Sequence, residues 1–560
     1  MEPRNHAHNH EVLVRHDRNG SDIEIPVADV EDSSGIHDGS VNEKATTTVN
    51  TEYPREFCEE QKPKQNHKER LRHGGLLDSF TTDMNTTGLS PCCCGCSSPF
   101  ESSPSTFQLA TAWLGKVVPE GHRIITGATV VIVALFLGVF IPGETEYNKR
   151  SDRAVSVFGY LVFMAGLYIT SRHRKHINWK PVVVGILVQF IMGFFVLRTT
   201  LGKTIFKFIS DALTTLLEYA YQGVVFLTDS SVLKLGWFLV NSLSVFVFFV
   251  ALVQMAYYVG FIQWGVQKLA YFFGWAFSLS GTEALAAGVT PFLGMGEAAI
   301  IIKGFIPELT QAEIHQVMTA GFATISGSLM VVYIGLGASG QAVISSCLMS
   351  IPISIAISKM RVPETEEPLT LGHVSILNNE PEDGNSETNI LHAMANGAWT
   401  GLKVAGMVAA NLIVIIAIVA LCNGILQWCF KYIGAPHVTI SQIFGYIFYP
   451  VAFLMGVPRN ELYLVGQLIG LKTIQNEFVA FAALTEQSKF QAISPRGTII
   501  ATYAICGFAN IGSIGIQLGI YGQLSPKRRG DFAREALSAC ICGALATFMS
   551  ASLAGMIFTG

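Results

Sequence analysis

Charge is scarce in this sequence. Asp, Glu, Lys and Arg make up 14% of its 560 residues, against roughly 25% in an average soluble domain. That leaves too few charged side chains to cover a water-soluble fold of this size. The formal net charge is −4, and no long basic run interleaves with aromatics, so the footprint of a nucleic-acid binder is missing. A glycine-rich nucleotide loop, a GxSxG elbow and an HExxH helix are missing too. ATP-driven transport and hydrolase chemistry therefore find no support, and the chain does not read as an enzyme. The opening MEPRNHAHNHEVLV has none of the basic start, apolar core and small-residue cleavage site of a secretory leader. Insertion into a membrane is then expected to rely on an internal span, with the tail left in the cytoplasm.

Half of the residues are hydrophobic, and they are unevenly spread. Residues 1–117 are polar, with few aliphatic runs able to offset the entropy of ordering, and read as a disordered cytoplasmic tail. A hydrocarbon core about 30 Å thick needs about 20 apolar helical residues, and residues 124–142 supply them without one charge. Further uncharged stretches cover 154–171, 181–197, 235–267, 316–358, 404–430, 497–526 and 536–560. The stretch 316–358 is long enough for two spans, split near Gly335-Leu336-Gly337. No period-two barrel pattern is present, and open sheet edges do not survive in lipid. The expected fold is an all-α polytopic membrane protein, with three N-terminal transmembrane helices in 118–200 and a transporter core in 201–560.

Segments 204–229, 268–283, 284–309 and 438–471 are too polar or too broken for simple crossings. They are expected to form interfacial helices and re-entrant hairpins, the latter near 284–309 and 455–487. Lys and Arg in short loops favour the cytoplasm. Arg172, Arg174 and Lys175 after the second span, with Lys527, Arg528 and Arg529 before the last, would then face inward and leave the C-terminus outside.

An internal repeat marks a site. Gly321-Phe322-Ala323-Thr324-Ile325 is echoed by Gly507-Phe508-Ala509-Asn510-Ile511, each followed by small residues and each preceded by a glutamate in an apolar segment, Glu297 and Glu477. Paired interrupted segments at corresponding positions point to a transporter site at the repeat interface. Small residues alone could mean close helix packing, but packing does not call for a carboxylate. An acid at the bilayer centre costs about 2.5–3.5 kcal/mol even on the mildest scale, so both glutamates should face a wet cavity or a partner. For Glu297 that partner could be Lys303.

These residues carry a resemblance. The stretches AEIHQVMTAGFATISGS, YIFYPVAFLMGVPRNELYLVGQLIGLKTIQNEFVAF and ISPRGTIIATYAICGFANIGSIGI occur in order between about residue 235 and the end of the chain. In them the sequence resembles the concentrative nucleoside transporter family. The resemblance implies an inverted-repeat transporter with two re-entrant hairpins and discontinuous helices, working as a homotrimer by an elevator movement. It also implies that Glu477 accepts hydrogen bonds from sugar hydroxyls, with Asn510 and Ser513 as its partners and Phe508 as an aromatic wall.

At the first hairpin the family usually has Gly or Ser, then Gln, then Ser or Thr, then Glu. This chain has Gly294-Met295-Gly296-Glu297, so an amide and a hydroxyl that could read a base edge are replaced. Methionine still packs on a flat ring through its polarizable thioether. Leu329, at another pocket position, adds apolar surface, and altered base preference is expected. The family's sodium ligands map to Thr290, where an asparagine is usual, and to Leu293, Thr324 and Ile325. Threonine and backbone oxygens suit sodium, while a proton on Glu297 or Glu477 is the other coupling ion to weigh.

The resulting expectation is a secondary active importer of purine or pyrimidine nucleosides by symport with Na+ or H+, without a cofactor, multi-pass in the plasma membrane. The altered tetrad keeps other readings open: a non-transporting nucleoside sensor, a leak channel, or a transporter of a different small polar solute. Cys92-Cys93-Cys94-Gly95-Cys96 in the tail reads as ordinary unstructured chain, with palmitoylation and a metal site as alternatives. Cys58 also lies in the tail, and Cys347, Cys422, Cys429, Cys506, Cys540 and Cys542 are expected to be small buried hydrophobes. His315, just before a span, could relay protons, although an interfacial helix end is the commoner place for such a residue, and it is assigned no role; His6, His8 and His10 define no metal site.

Overall fold

The computed structural model describes residues 123–560 apart from 235–236, 238–239, 241–243, 371–386, 435–436 and 559–560. The expected disordered tail, its cysteine cluster and its histidines lie outside the described residues. Within them the chain is helical, and the only bridge between extended residues joins Thr145 to Asn148.

Three helices open the described chain: α1 (Arg123–Phe140), α2 (Arg150–Ile169) and α3 (Trp179–Arg198). Asn178 starts α3 by accepting from the Lys180 N–H at 3.1 Å, and Thr199 closes it and caps α4 (Thr200–Leu227) through the Gly202 N–H. The 28-residue α4 is continuous, a helix rather than a hairpin over 204–229, where either an interfacial helix or a re-entrant hairpin was expected. α5 (Ser244–Tyr258) and α6 (Phe261–Phe277) follow. The uncharged run 235–267 is therefore not one straight span: the two helices bend by 76° at Gly260, whose φ of +86° belongs to the left-handed region that glycine enters freely. Residues 268–277, expected to be broken, continue α6 without interruption.

The core holds α7 (Gly281–Ile301), α8 (Gln311–Ala323), α9 (Gly327–Gly335), α10 (Gly340–Arg361), the 42-residue α11 (Ile390–Lys431), the short α12 (Ile440–Ile447) and α13 (Tyr449–Leu454), α14 (Leu462–Ile474), α15 (Glu477–Glu486), α16 (Pro495–Ile505), α17 (Ile511–Leu524) and α18 (Arg529–Ile557). The turn between α9 and α10 passes through Gly337 at φ +91°, where the split of 316–358 was expected. Burial separates centre from periphery. In the most apolar window of α10, 89% of residues are buried, and in α18 83%, but in α11 only 11%. α11 instead exposes Leu402, Ile413, Val414, Leu421, Ile425 and Trp428. An apolar exterior of this extent belongs in lipid or against another protein surface.

Small residues set the helix spacing, as is usual where lipid removes the hydrophobic drive between helices. A Cβ on Gly397 would lie 2.8 Å from the Ala251 Cα, and one on Gly401 2.9 Å from the Val247 Cα, so α11 meets α5 backbone to backbone. Two guanidiniums hold the ends together without carboxylates. Arg496 at the start of α16 donates to the carbonyls of Gly456 (3.1 Å), Gly555 (2.6 Å) and Asp152 (3.2 Å). Arg153 donates to those of Pro142 and Gly143 at 2.7 Å each. Helix ends leave carbonyls without intrahelical partners, and a planar fork of donors suits them.

The two basic clusters lie at one end of the bundle, since Arg172 pairs with Glu535 of α18 at 2.6 Å and Arg528 caps the Pro307 and Leu309 carbonyls. Two expectations change. His315 is fully buried rather than interfacial, bridging Ser358 of α10 (2.7 Å) and Ser538 of α18 (3.1 Å). Cys347, Cys506, Cys540 and Cys542 are buried, whereas Cys422 is half-buried and Cys429 exposed, because both sit on the uncovered α11.

A Cβ on Gly159 of α2 would stand 1.7 Å from the Leu454 carbonyl oxygen, a backbone atom with no rotamer to move. Gly159→Val is expected to lower stability by about 1–3 kcal/mol or more, the range of overpacked cores. Thermal unfolding of the detergent-solubilised protein checks this, and an unchanged Tm would contradict the close crossing.

Candidate substrate cavity

The first hairpin is α7. Ser280 and Glu283 form a capping box at its start. Thirteen residues on, Gly294 takes φ +81° and ψ −179° inside the helical run, a conformation essentially restricted to glycine. Pro291 lies just before it and lacks the N–H that would continue the ladder. The second hairpin is α14 and α15, separated by Gln475 at φ −92° and ψ −91°. Asn476 restarts the chain as a helix by accepting from the Val479 N–H at 3.0 Å, which makes Glu477 the first residue of α15 and sets its carboxylate at a favourable helix N-terminus.

Each pentapeptide of the repeat lies at a helix interruption. α8 stops at Ala323, Thr324 is extended, and Ser326 caps α9 through the Leu329 N–H. α16 stops at Ile505, and Asn510 caps α17 through the Ser513 N–H at 2.8 Å. The interruptions touch. The Phe508 N–H donates to the Thr324 carbonyl at 3.3 Å, and a Cβ on Gly507 would come 3.2 Å from the carbonyl oxygens of Phe322 and Ala323. The first hairpin joins them, because a Cβ on Gly327 would lie 3.2 Å from the Phe292 carbonyl oxygen.

Between these four pieces lies a cavity of about 720 Å³. Gly294, Met295 and Gly296 of the first hairpin, Leu329 of α9, Glu477 of the second hairpin, and Phe508, Asn510 and Ser513 at the second interruption all line it. The Glu477 side chain is held from two sides: Asn510 Nδ2 donates to Oε2 at 2.9 Å, and the Tyr333 hydroxyl donates to Oε1 at 3.2 Å. Two oxygens offer about four acceptor positions; the residue's own backbone N–H takes a further share, and what is left is open to donors arriving from the cavity. The side chain of Glu297 lies outside the described residues, and its backbone lies on α7.

The four expected ion positions are not on the cavity wall. Thr290 and Thr324 are buried, and each hydroxyl donates to the carbonyl four residues back, Ala286 at 2.6 Å and Ala320 at 3.0 Å. With the proton so engaged, the oxygen lone pairs face away from the helix ladder. Leu293 is half-buried, and the buried Ile325 has its carbonyl under the Cys347 thiol at 3.4 Å.

Sequence reasoning missed several wall residues. Ser326 and Ser328 share a 3.0 Å hydroxyl contact, and Gln475 and Asn476 edge the second hairpin. α11 contributes Thr400 and Asn411. An amide in a long apolar helix is itself a signal of function in a membrane, and Asn411 could have been found that way. Nothing local marks Tyr333 as the partner of a glutamate 144 positions away.

Three family models match in sequence order: "Na+ dependent nucleoside transporter N-terminus" over residues 158–231, "Nucleoside recognition" over 239–340 and "Na+ dependent nucleoside transporter C-terminus" over 342–555. A mouse protein named sodium/nucleoside cotransporter 1 is 34% identical over 76% of this chain and 67% of its own length. This chain belongs to the concentrative nucleoside transporter family. The rat sodium/nucleoside cotransporter 2 is 32% identical over 78% of the chain and 66% of its own length, so this family member spans just under two thirds of that relative. Among solved structures, CNTnw in an inward-facing substrate-bound state shares 31% identity with a TM-score of 0.67, over 72% of this chain and 97% of that one. An outward-facing CNTnw variant gives 0.69 at 31% identity, over 73% and 99%. The family match begins at residue 158, inside α2, well before residue 235, where the resemblance was first legible.

Tyr333→Phe keeps the ring, which stacks on Phe481 at 4.6 Å between centroids, and deletes one of the two donors to Glu477. A hydrogen bond to a charged group contributes about 1.5–3 kcal/mol, so a stability loss of that order, read as a lowered Tm, is expected in detergent. A change within error would mean that water serves Oε1 equally well.

Proposed function

We propose that this chain is a secondary active transporter that imports nucleosides by symport with sodium. The observation that carries the reading is the Glu477 carboxylate. It is held by one side-chain donor on each oxygen, keeps unused acceptor capacity, and stands on the wall of a cavity lined by two hairpins, two interrupted helices and α11. A ribose presents neighbouring hydroxyl donors that such a carboxylate can take, while Asn510 both donates and accepts. Phe508 supplies a flat apolar wall, and Ser513 a further hydroxyl. At the base end Met295 and Leu329 offer polarizable apolar contact, with Gly296 leaving room and Glu297 the acid of the first hairpin.

Sodium is read as the co-transported ion. Hard oxygens are available from the Thr290 and Thr324 hydroxyls and from the backbone at Leu293 and Ile325, and the names of the matching family models and relatives carry sodium. A proton remains the ion to test against it. The carrier is read as a homotrimer in the plasma membrane, with the two basic clusters and the N-terminus in the cytoplasm and the C-terminus outside. Its hairpins and interrupted helices would cross as one body past a static frame.

Uptake of labelled uridine, adenosine and inosine into vesicles under an imposed sodium or proton gradient tests this. Accumulation above equilibrium is expected with sodium, and flux that ignores both gradients would defeat it. Glu477→Gln is expected to abolish uptake of all three while the protein still folds. Retained uptake would remove the carboxylate from the site. Met295→Gln, which restores an amide that can pair with a base edge, is expected to change the uptake ratio between uridine and the purine nucleosides by about tenfold, the effect of 1.4 kcal/mol. An unchanged ratio would place base selection elsewhere.

A further inference from the structure

Lys472 of α14 is fully buried, and among the described residues no carboxylate forms an ion pair with it. Its ammonium donates to the Ala504 carbonyl at 3.3 Å and to the Thr547 hydroxyl at 3.4 Å. It also stands 5.7 Å from the centre of the Phe548 ring. Ala504 is the penultimate residue of α16, so its carbonyl belongs to the last turn, where no helical N–H follows and the helix dipole favours a cation. A buried charge is costly unless paired or otherwise satisfied. The direct contacts of Lys472 are dipoles, a helix end, a hydroxyl and a ring face, and the Glu477 carboxylate acts on it from beyond hydrogen-bond range.

The location has a counterpart in the other repeat. The ion positions read above combine first-hairpin residues four and seven before Glu297, namely Leu293 and Thr290, with the interruption after α8. Lys472 lies on the second hairpin five residues before Glu477 and faces the interruption after α16. Hairpin and helix end correspond, and the five-residue spacing of Lys472 falls between the four and seven of Leu293 and Thr290. In the first repeat the described groups at that place are neutral oxygens, and in the second a cation is covalently supplied.

We propose that the Lys472 ammonium is a tethered cation occupying the place that a mobile ion takes in the first repeat, so that only one of the two related positions is open to sodium. The inference rests on the sodium-symport reading above. The ammonium fixes the second hairpin to the end of α16 throughout the cycle, whereas an ion at the first hairpin can come and go. A carbonyl oxygen, a threonine hydroxyl and an aromatic face are ligands that a small alkali cation would accept once the side chain is gone.

The test uses the full-length protein and two substitutions. Lys472→Ser opens the space and keeps a hydroxyl, and Lys472→Met fills it without charge. Thermal stability in detergent is followed against sodium chloride, with choline chloride holding ionic strength, and uptake is followed against sodium in vesicles. Lys472→Ser is expected to lose stability in choline and to recover at least half of the loss in sodium. Its uptake should depend on sodium more steeply, with a Hill coefficient higher by about one, since that coefficient is bounded by the number of sites. Lys472→Met is expected to lose stability without recovery. The proposal is overturned if Lys472→Ser keeps the wild-type sodium response, if sodium fails to restore it, or if Lys472→Met matches the wild type. A wild-type protein without sodium-dependent uptake would instead defeat the sodium reading, whatever the two variants do.

Discussion

Everything at the cavity depends on two interrupted helices being allowed to touch. Broken backbone at membrane depth leaves N–H and C=O groups that lipid cannot satisfy, so it survives only where protein or water takes them up. Here the breaks partly satisfy each other: the Phe508 N–H meets the Thr324 carbonyl, and Gly507 permits that approach by having no side chain to collide with Phe322 and Ala323. The rest of each break is closed by its own polar residue, Ser326 or Asn510, folded back on the next helix. Asn510 therefore acts twice, since its carbonyl oxygen starts α17 while its amide nitrogen holds Glu477. Site geometry and helix initiation are coupled through one side chain.

The sequence disclosed the features that are local or periodic. Apolar runs located the spans, Gly335-Leu336-Gly337 located a turn, and the echoed pentapeptides located both interruptions, because each is written in a few consecutive residues. What it did not disclose were relations across space. The bend at Gly260 has no proline to announce it, and a left-handed glycine in an apolar run looks the same as one that merely packs. The continuity of α4 was hidden by polar residues on one face of an amphipathic helix, which resemble a break until the burying neighbour is known. His315 looked interfacial because its two serine partners come from helices far along the chain.

The buried cations follow a common logic. Arg496, Arg153 and Lys472 all lie deep in the protein, and each is satisfied mainly by carbonyl oxygens at the ends of helices rather than by acids. A bundle of many short helices has many C-terminal ends, and each of these concentrates negative partial charge. Positive side chains placed there neutralise the ends without adding a second charge that would itself need a partner. The acids are thereby left for other work, and Glu477 keeps part of its acceptor capacity free.

The length of α11 has a mechanical consequence. At 1.5 Å per residue, its 42 residues reach about 63 Å, roughly twice the thickness of the hydrocarbon layer. Such a rod cannot stand upright within a bilayer and end at its surfaces. It must lie obliquely or project beyond the hydrocarbon layer. Bare along most of its outer side, it can serve as a slanted beam whose foot lies in one leaflet and whose head lies in the other, and anything that slides along it moves sideways as well as through the membrane.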